Sequence, residues 1–186
     1  MTQVIFLHSA GPQGPGEGSS ALLAGLKQAL PPGMTLVAPL MPEPDNPSAE
    51  RWIAAMQQVL AGFEGPHILV GHSLGGSILL QTLARHGIGQ GLMGVVLLNS
   101  PFWGAPGWAF EDFALTEGDA GTLKHLPRLL VLQGDADDVV SPDHPDRYKK
   151  LLPIAETETL KGVDHEAAGA APHVIAAMQK VCQMGK

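Results

Sequence analysis

Short aliphatic runs alternate along the chain with longer segments whose apolar residues recur at helical spacing, and this alternation constrains the fold more than any other feature. Strands that are apolar on both faces and separated by helices are typical of a parallel sheet covered on each side. We therefore predict an α/β fold, a three-layer α/β/α sandwich with a mainly parallel sheet of about six strands. The predicted strands are Val4–Leu7, Thr35–Ala38, His67–Val70, Val95–Leu98, Leu129–Leu132 and Ala155–Thr159, and the predicted helices are Ser19–Leu30, Ser48–Phe63, Ser73–His86, Pro145–Leu152 and Pro172–Met184.

Length and composition fit one globular domain. The chain has 186 residues, of which 45% are hydrophobic and 16% are charged. A chain of this size can bury about two-thirds of the surface that it exposes when unfolded. We expect a single domain over 1–186, because no internal repeat and no long linker divides the sequence. The segment 100–127 is expected to be a long excursion between the fourth and fifth predicted strands.

Charge and cysteine content argue against several classes of partner and site. The formal net charge is −7 and the eleven Lys and Arg residues are scattered, whereas binding to nucleic acid needs clustered basic side chains. Cys182 is the only cysteine, so neither an internal disulfide nor a thiolate metal cluster can form. The N-terminal sequence fits neither a signal peptide nor a membrane span, so we expect a cytoplasmic location. The oligomeric state stays open.

A strand-to-helix junction carries the most specific motif. Residues His67–Gly76, HILVGHSLGG, run from a buried type of strand into a helix, and Gly71–Gly75 matches G-x-S-x-G. In that motif the serine hydroxyl projects above the C-terminal edge of the sheet, which makes Ser73 the candidate nucleophile. The alternative is that Ser73 only caps the helix, but the flanking strand and helix favour the nucleophile. We expect His72 to be a bystander in the turn and not a second base.

A candidate base and a candidate carboxylate follow later strands. A serine hydroxyl needs a base to remove its proton, and a carboxylate normally orients that base. His165 lies in the loop after the last predicted strand, and imidazole suits proton transfer near neutral pH. The turn after the fifth predicted strand contains Asp135, Asp137 and Asp138. We favour Asp137, with Asp135 next, because aspartates are also common in solvated turns.

Two backbone N–H groups are candidates for an oxyanion hole. Tetrahedral intermediates need such donors, one from the residue after the nucleophile and one from the loop after the first core strand. We assign the N–H groups of Leu74 and Ala10, with Ser9 as a second choice. The same Gly-rich loop could suggest a nucleotide site. However, its Gly14–Ser19 stretch does not match G-x-G-x-x-G, and no G-K-[S/T] follows.

The excursion at 100–127 is unusually rich in aromatic residues. Loops this long in a compact domain are usually functional. The aromatic side chains either wall an apolar substrate pocket or only pack the excursion onto the domain, and the sequence leaves both interpretations open. They are Phe102, Trp103, Trp108, Phe110 and Phe113, more than half of the aromatic residues in the chain.

With these segments in this order, the chain resembles the α/β-hydrolase superfamily, and within it the small, nearly lidless serine hydrolases and esterases. The GHSLGG sequence at Gly71–Gly76 is the most specific part of the resemblance. His8-Ser9 departs from the usual His-Gly after the first core strand, the usual eight strands are reduced, and the lid is shrunk to 100–127. The matching segments are Val4–Gly11, Thr35–Met41, His67–Gly76, Gly134–Pro142 and Gly162–His165.

The resemblance implies hydrolysis of a small carboxylic ester, or of a thioester or amide, through an acyl-enzyme intermediate. Ser73 would be the nucleophile, His165 its base and Asp137 the residue that orients the base, with no metal and no organic cofactor. Because one fold hosts many functions, other readings stay open. They are a C–C hydrolase or lyase with the same three residues, a non-catalytic ligand-binding protein, and a protein-interaction module that presents the aromatic loop.

Overall fold

A computed structural model describes residues 1–104 and 107–183 of the chain. Residues 105 and 106 of the excursion lie outside the described part, and so does Met184, the last residue of the final predicted helix. The expectation of a single domain over 1–186 stays a prediction.

Six parallel strands form one sheet, which confirms the predicted α/β fold. The strands pair in the order β2-β1-β3-β4-β5-β6, and every neighbouring pair is parallel. The strands are β1 (Thr2–Leu7), β2 (Met34–Val37), β3 (His67–His72), β4 (Leu92–Leu98), β5 (Leu129–Gly134) and β6 (Ala155–Leu160). The helices are α1 (Ser20–Ala29), α2 (Ala49–Ala61), α3 (Leu74–His86), α4 (Glu117–Leu123), α5 (His144–Leu151) and α6 (Ala171–Cys182).

Helices cover both faces of the sheet and produce two hydrophobic cores. Successive strand residues point to opposite faces, so Val4 and Ile68 pack on one side while Ile5 and Leu69 pack on the other. The first side is covered by α1 and α6, and the second by α2, α3, α4 and α5. Both faces of the central strands are buried, which accounts for their almost continuous aliphatic sequence.

The two edge strands differ from the prediction of strands that are apolar on both faces. In β2 the residues alternate between half-buried and exposed, and in β6 Thr157, Glu158 and Thr159 are exposed. Each edge strand has a neighbour on one side only, and polar or charged residues there discourage pairing with another chain. The interior of the sheet therefore carries the aliphatic pattern and its edges do not.

The excursion contains a helix that the sequence analysis did not predict. Helix α4 begins after Thr116, whose hydroxyl accepts from the N–H of Asp119 while the Asp119 carboxylate accepts from the N–H of Thr116. This reciprocal capping box supports the first turn. Gly118 and Gly121 lower the helix propensity of these seven residues, and so weaken the helical pattern in the sequence.

The strand order places the candidate site. The chain runs from β1 outward to β2 and then returns to β3 on the other side of β1, so the winding direction changes between β1 and β3. In open α/β sheets, ligands bind at the carboxyl ends of the strands on either side of such a switch point. The loop after β1 and the turn after β3 meet there. No helix in residues 1–104 or 107–183 is long and apolar enough to cross a membrane.

Candidate active site

Ser73 occupies a strained turn between β3 and α3. Its backbone has φ 52° and ψ −125°, in the positive-φ region that side-chain-bearing residues seldom adopt. The Ser73 N–H donates to the carbonyl oxygen of Leu98 at 2.9 Å. A Cβ at Gly71 would collide with the backbone of Gly76, and a Cβ at Gly75 would collide with the carbonyl oxygen of Leu7. Glycine is required at both positions because β1, β3 and α3 approach so closely.

The structure brings Ser73, His165 and Asp137 together at the carboxyl edge of the sheet. The distance from Ser73 Oγ to His165 Nε2 is 3.1 Å. On the other side of the ring, His165 Nδ1 lies 3.0 Å from Oδ1 and 3.1 Å from Oδ2 of Asp137. Asp137 therefore fixes the proton of His165 on Nδ1, and Nε2 is left to accept a hydrogen bond from the Ser73 hydroxyl.

The carboxylate of Asp137 is buried and accepts hydrogen bonds from several donors. Its side chain has no exposed surface. Oδ1 accepts from the N–H groups of Val139 at 2.9 Å and Val140 at 2.8 Å, and Oδ2 accepts from Gln133 Nε2 at 2.9 Å. Burial alone raises the pKa of this carboxyl, but the hydrogen bonds from His165, Val140 and Val139 outweigh burial and hold the pKa below its usual value. The group stays ionised near neutral pH.

The other two aspartates of this turn lie away from His165. Asp135 is exposed and its carboxylate accepts from the N–H of Gly162 at 2.6 Å. Asp138 is exposed to solvent. The geometry thus separates the three candidates in the turn, and only Asp137 contacts the imidazole.

The loop after β1 contains two candidate oxyanion donors, the N–H groups of Ser9 and Ala10. The N–H of Ser9 donates to Ser19 Oγ at 2.8 Å and is therefore occupied. The carbonyl of Ser9 is held by His8 Nδ1 at 2.6 Å, and in a trans peptide the next N–H points the opposite way. That N–H belongs to Ala10, which lines the cavity and donates to none of the described residues. Leu74 is the first residue of α3, so its N–H has no acceptor within the helix.

His72 contacts the site, contrary to its interpretation as a bystander. It is almost completely buried, with Nδ1 at 2.7 Å from Ser19 Oγ and Nε2 at 2.7 Å from the carbonyl oxygen of His165. Burial lowers the pKa of His72 to about 4, because a charged ring would lose its solvation there. Since both ring nitrogens are occupied, His72 is not a second base for Ser73.

Asn99 at the end of β4 is a site residue that the sequence analysis missed. It is fully buried, and its backbone has φ 49°. Its Nδ2 donates to the carbonyl oxygens of Asp164 at 2.7 Å and His165 at 3.2 Å, while its Oδ1 accepts from the N–H of Gly134 at 2.8 Å. Asn99 thus ties the loop that carries His165 to the end of β5. In the sequence Asn99 is only a polar residue directly after an aliphatic run, which does not point to His165.

A cavity of about 730 Å³ opens over Ser73 and His165. Four of the five aromatic residues singled out in the excursion line it, namely Trp103, Trp108, Phe110 and Phe113. Phe102 does not line it and packs edge to face on Tyr148, with ring centroids 5.2 Å apart. Of the two interpretations left open for the aromatic residues, packing onto the domain applies to Phe102, whose backbone N–H is held by His144 Nδ1 and whose ring packs against the core.

Helix α3 anchors the aromatic wall. Trp103 Nε1 donates to Ser77 Oγ at 2.8 Å, and Gln81 Nε2 donates to the carbonyl oxygens of Asp112 at 2.9 Å and Ala114 at 3.0 Å. Trp103 in turn packs against Trp108, Phe110 and Phe113, with ring centroids 5.0 to 5.8 Å apart. The helix that begins at Ser73 therefore also fixes the wall of the cavity.

The charged groups around the cavity are acidic. Asp112 and Glu166 line it, and none of its described lining residues is a lysine or arginine. Among residues 1–104 and 107–183, no cluster of His, Cys, Asp and Glu side chains is arranged to hold a metal ion. The site thus combines a Ser–His–Asp arrangement with an apolar, partly acidic wall.

Comparison with known families identifies the chain. The family described as serine hydrolase matches residues 27–162, well over half of the sequence. The chain belongs to the serine hydrolase family. This hydrolase also has the fold of the α/β-hydrolase superfamily, as solved structures show, and the resemblance noted in the sequence is confirmed. A search of curated protein sequences gave no match.

Three similar structures illustrate how much of the fold is shared. The ydeN gene product from B. subtilis is 18% identical with a TM-score of 0.82, over 98% of this chain and 99% of that one. An α/β-hydrolase enzyme from the metagenome of Mar Chica lagoon sediments, in Morocco, is 17% identical, with a TM-score of 0.73 over 96% and 89% of the two chains. Est1E from Butyrivibrio proteoclasticus, with ferulic acid bound, is 13% identical, with a TM-score of 0.73 over 100% and 90%.

Proposed function

We propose that this serine hydrolase cleaves a small carboxylic ester through an acyl-enzyme intermediate, with Ser73 as nucleophile. The observation that carries the proposal is the unbroken set of contacts from Ser73 Oγ through His165 to Asp137, at 3.1 Å and 3.0 Å. Ser73 is held above the sheet edge by its positive-φ turn, beside the cavity. Nucleophile, base and orienting carboxylate are the three parts that such catalysis needs.

Acylation and deacylation use the same proton carrier. Ser73 Oγ bonds to the ester carbonyl carbon as His165 Nε2 takes the hydroxyl proton, and the carbonyl oxygen becomes an oxyanion. The C–O bond to the alcohol then breaks, and His165 returns the proton to the leaving oxygen. Water next attacks the acyl group and gives a proton to His165, which passes it back to Ser73 as the acid leaves. The Asp137 carboxylate stabilises the imidazolium in both halves.

The N–H groups of Leu74 and Ala10 are the proposed oxyanion donors. Leu74 has the free N–H of a helix N-terminus, where the helix dipole also favours negative charge. Ala10 supplies the second N–H, because the N–H of Ser9 already donates to Ser19 Oγ. Removal of one such donor typically costs about 3 kcal/mol of transition-state stabilisation.

The cavity favours an uncharged ester with a bulky apolar group. Trp103, Trp108 and Phe113 offer ring surfaces, and the carboxylates of Asp112 and Glu166 would repel an anionic substrate group. Aromatic acyl groups are a sensible part of a substrate panel, since Est1E has ferulic acid bound on the same fold. The same mechanism can cleave thioesters and amides, so the panel should include both.

The test is turnover of p-nitrophenyl esters of graded chain length, together with a hydroxycinnamate ester. Ser73→Ala and His165→Ala should each lose several orders of magnitude in kcat. A fluorophosphonate should label the wild type rapidly and Ser73→Ala not at all, because only an activated serine reacts quickly. Wild type that neither turns over esters nor reacts with the probe would favour the ligand-binding or protein-interaction alternatives.

A further inference from the structure

Two loops must keep their positions around Ser73 for the proposed reaction. The loop after β1 carries the N–H of Ala10, and the loop after β6 carries His165. A hydrogen-bonded chain of buried polar groups joins the two loops through Ser9, Ser19 and His72. These residues lie far apart in the sequence, and none of them takes part in the proposed proton transfers.

The position of each hydrogen in this hydrogen-bonded chain follows from which atoms can only accept. The His165 carbonyl oxygen can only accept, so His72 Nε2 carries the proton at that 2.7 Å contact. The other nitrogen of the neutral ring, Nδ1, must then accept, and Ser19 Oγ–H donates to it at 2.7 Å. Because the hydroxyl hydrogen of Ser19 is used in this bond, Ser19 Oγ must be the acceptor in its two other contacts. It accepts from the N–H of Ser9 at 2.8 Å and from the hydroxyl of Ser9 at 3.1 Å.

In each of these four hydrogen bonds, the donor therefore lies nearer the β1 loop and the acceptor nearer the His165 loop. The assignment needs a neutral His72, which its burial favours. It also accounts for the choice of oxyanion donor, because the bond to Ser19 removes the N–H of Ser9 from the site. At the other end, Asn99 Nδ2 donates to the same His165 carbonyl at 3.2 Å.

We propose that His72 and Ser19 are positioning residues that hold the oxyanion loop and the His165 loop in one catalytic geometry. The proposal rests on the proposed function, since it assumes that Ser73 and His165 do the chemistry. Neither side chain has a polar hydrogen or a ring nitrogen free to bind the substrate, because the described contacts use them all. Their effect would be on the placement of the Ala10 N–H and the His165 ring, where a shift of about 1 Å can cost 100-fold in rate.

The first test compares Ser19→Ala with Ser20→Ala. Ser19→Ala removes the donor to His72 Nδ1 and frees the N–H of Ser9, whereas the hydroxyl of Ser20 has no partner among the described residues. We expect kcat of Ser19→Ala to fall about 10- to 100-fold with KM within about threefold, and Ser20→Ala to match the wild type. Active sites are counted by fluorophosphonate labelling, so that kcat refers to correctly folded molecules only.

The second test uses two substitutions of His72. The amide nitrogen of glutamine reaches about as far as a histidine Nε2, so His72→Gln can still donate to the His165 carbonyl, while His72→Leu cannot. We expect kcat per labelled site to fall about 100-fold in His72→Leu and to recover at least partly in His72→Gln. Partial rescue is specific to a hydrogen-bonding role, because leucine and glutamine both fill the space.

Affinity for a trifluoromethyl ketone, which forms a tetrahedral adduct, gives an independent readout. In Ser19→Ala it should weaken in proportion to kcat/KM, because the analogue needs the same oxyanion donors. Equal kcat per labelled site in wild type, Ser19→Ala and His72→Leu would overturn the proposal while leaving Ser73 catalysis intact. Full activity of Ser73→Ala would instead overturn the proposed function itself, so the two failures are distinguishable.

Discussion

Replacement of Asp137 by asparagine changes one atom but should remove most of the activity. The carboxylate accepts four donors, the N–H groups of Val139 and Val140, Gln133 Nε2 and His165 Nδ1. An asparagine has one acceptor oxygen, and that oxygen must face the two backbone N–H groups, which cannot turn. Oδ1 also lies 3.0 Å from His165 Nδ1, but its two lone pairs are taken by the two backbone N–H groups. The NH₂ group in place of Oδ2 faces Gln133 and His165, where two donors already point inward.

Of the two donors in this conflict, only the histidine can become an acceptor and so relieve its own part of it. Gln133 cannot flip its amide, because Nε2 also donates to the carbonyl oxygen of Val140 at 2.9 Å. His165 relieves it by moving its proton from Nδ1 to Nε2, and a protonated Nε2 no longer accepts the hydroxyl proton of Ser73. Loss of the correct tautomer costs about 10⁴-fold in kcat, equivalent to about 5 kcal/mol.

The assay is kcat for a p-nitrophenyl ester at pH 7, with circular dichroism to verify the fold. Asp135→Asn is the matched control, since it makes the same change in the same turn at an exposed residue and should stay within about threefold of wild type. A larger loss in Asp135→Asn than in Asp137→Asn would refute the reasoning and transfer the orienting role to Asp135.

Three further predictions concern stability and the cavity. Because burial lowers the pKa of His72 to about 4, the unfolded chain binds more protons than the folded one between about pH 6.5 and pH 4. His72 alone should therefore lower the free energy of unfolding by about 3 kcal/mol over that range on acidification, and urea titrations should show a correspondingly smaller total fall in His72→Gln. Gly75→Ala should lower the melting temperature sharply, because its Cβ would collide with the carbonyl oxygen of Leu7. A melting temperature equal to that of the wild type would contradict the close packing of the turn between β3 and α3. Phe113→Ala should raise KM for bulky esters, whereas Phe102→Ala should lower stability and leave KM unchanged; the reverse pattern in Michaelis profiles would mean that the cavity is lined differently.

The sequence was most informative where local chemistry forces a choice. The β3–α3 turn needs glycine at Gly71 and Gly75 for steric reasons, so the motif around Ser73 is visible in a short segment. The central strands are buried on both faces, so their aliphatic runs stand out. By contrast, β6 is an edge strand with exposed residues such as Glu158, so its sequence shows the aliphatic strand pattern only weakly.

Contacts between segments that are distant in the sequence could not be predicted from it. Asn99 is 66 residues from His165, and Ser19 is 53 residues from His72, so nothing local marks either as part of the site. Phe102 and Phe113 look alike in the sequence, yet one packs on Tyr148 and the other lines the cavity. Which residues meet depends on the three-dimensional packing, and spacing along the chain carries little information about it.

The most direct test of the account is to trap the covalent intermediate. Wild-type protein is mixed with a p-nitrophenyl ester, quenched in acid within the first turnovers, digested and analysed by mass spectrometry. The account predicts that the peptide containing Ser73 gains the mass of the acyl group, and that Ser73→Ala shows neither this adduct nor turnover. Continued ester hydrolysis by Ser73→Ala, or an acyl group found on a different residue, would contradict it.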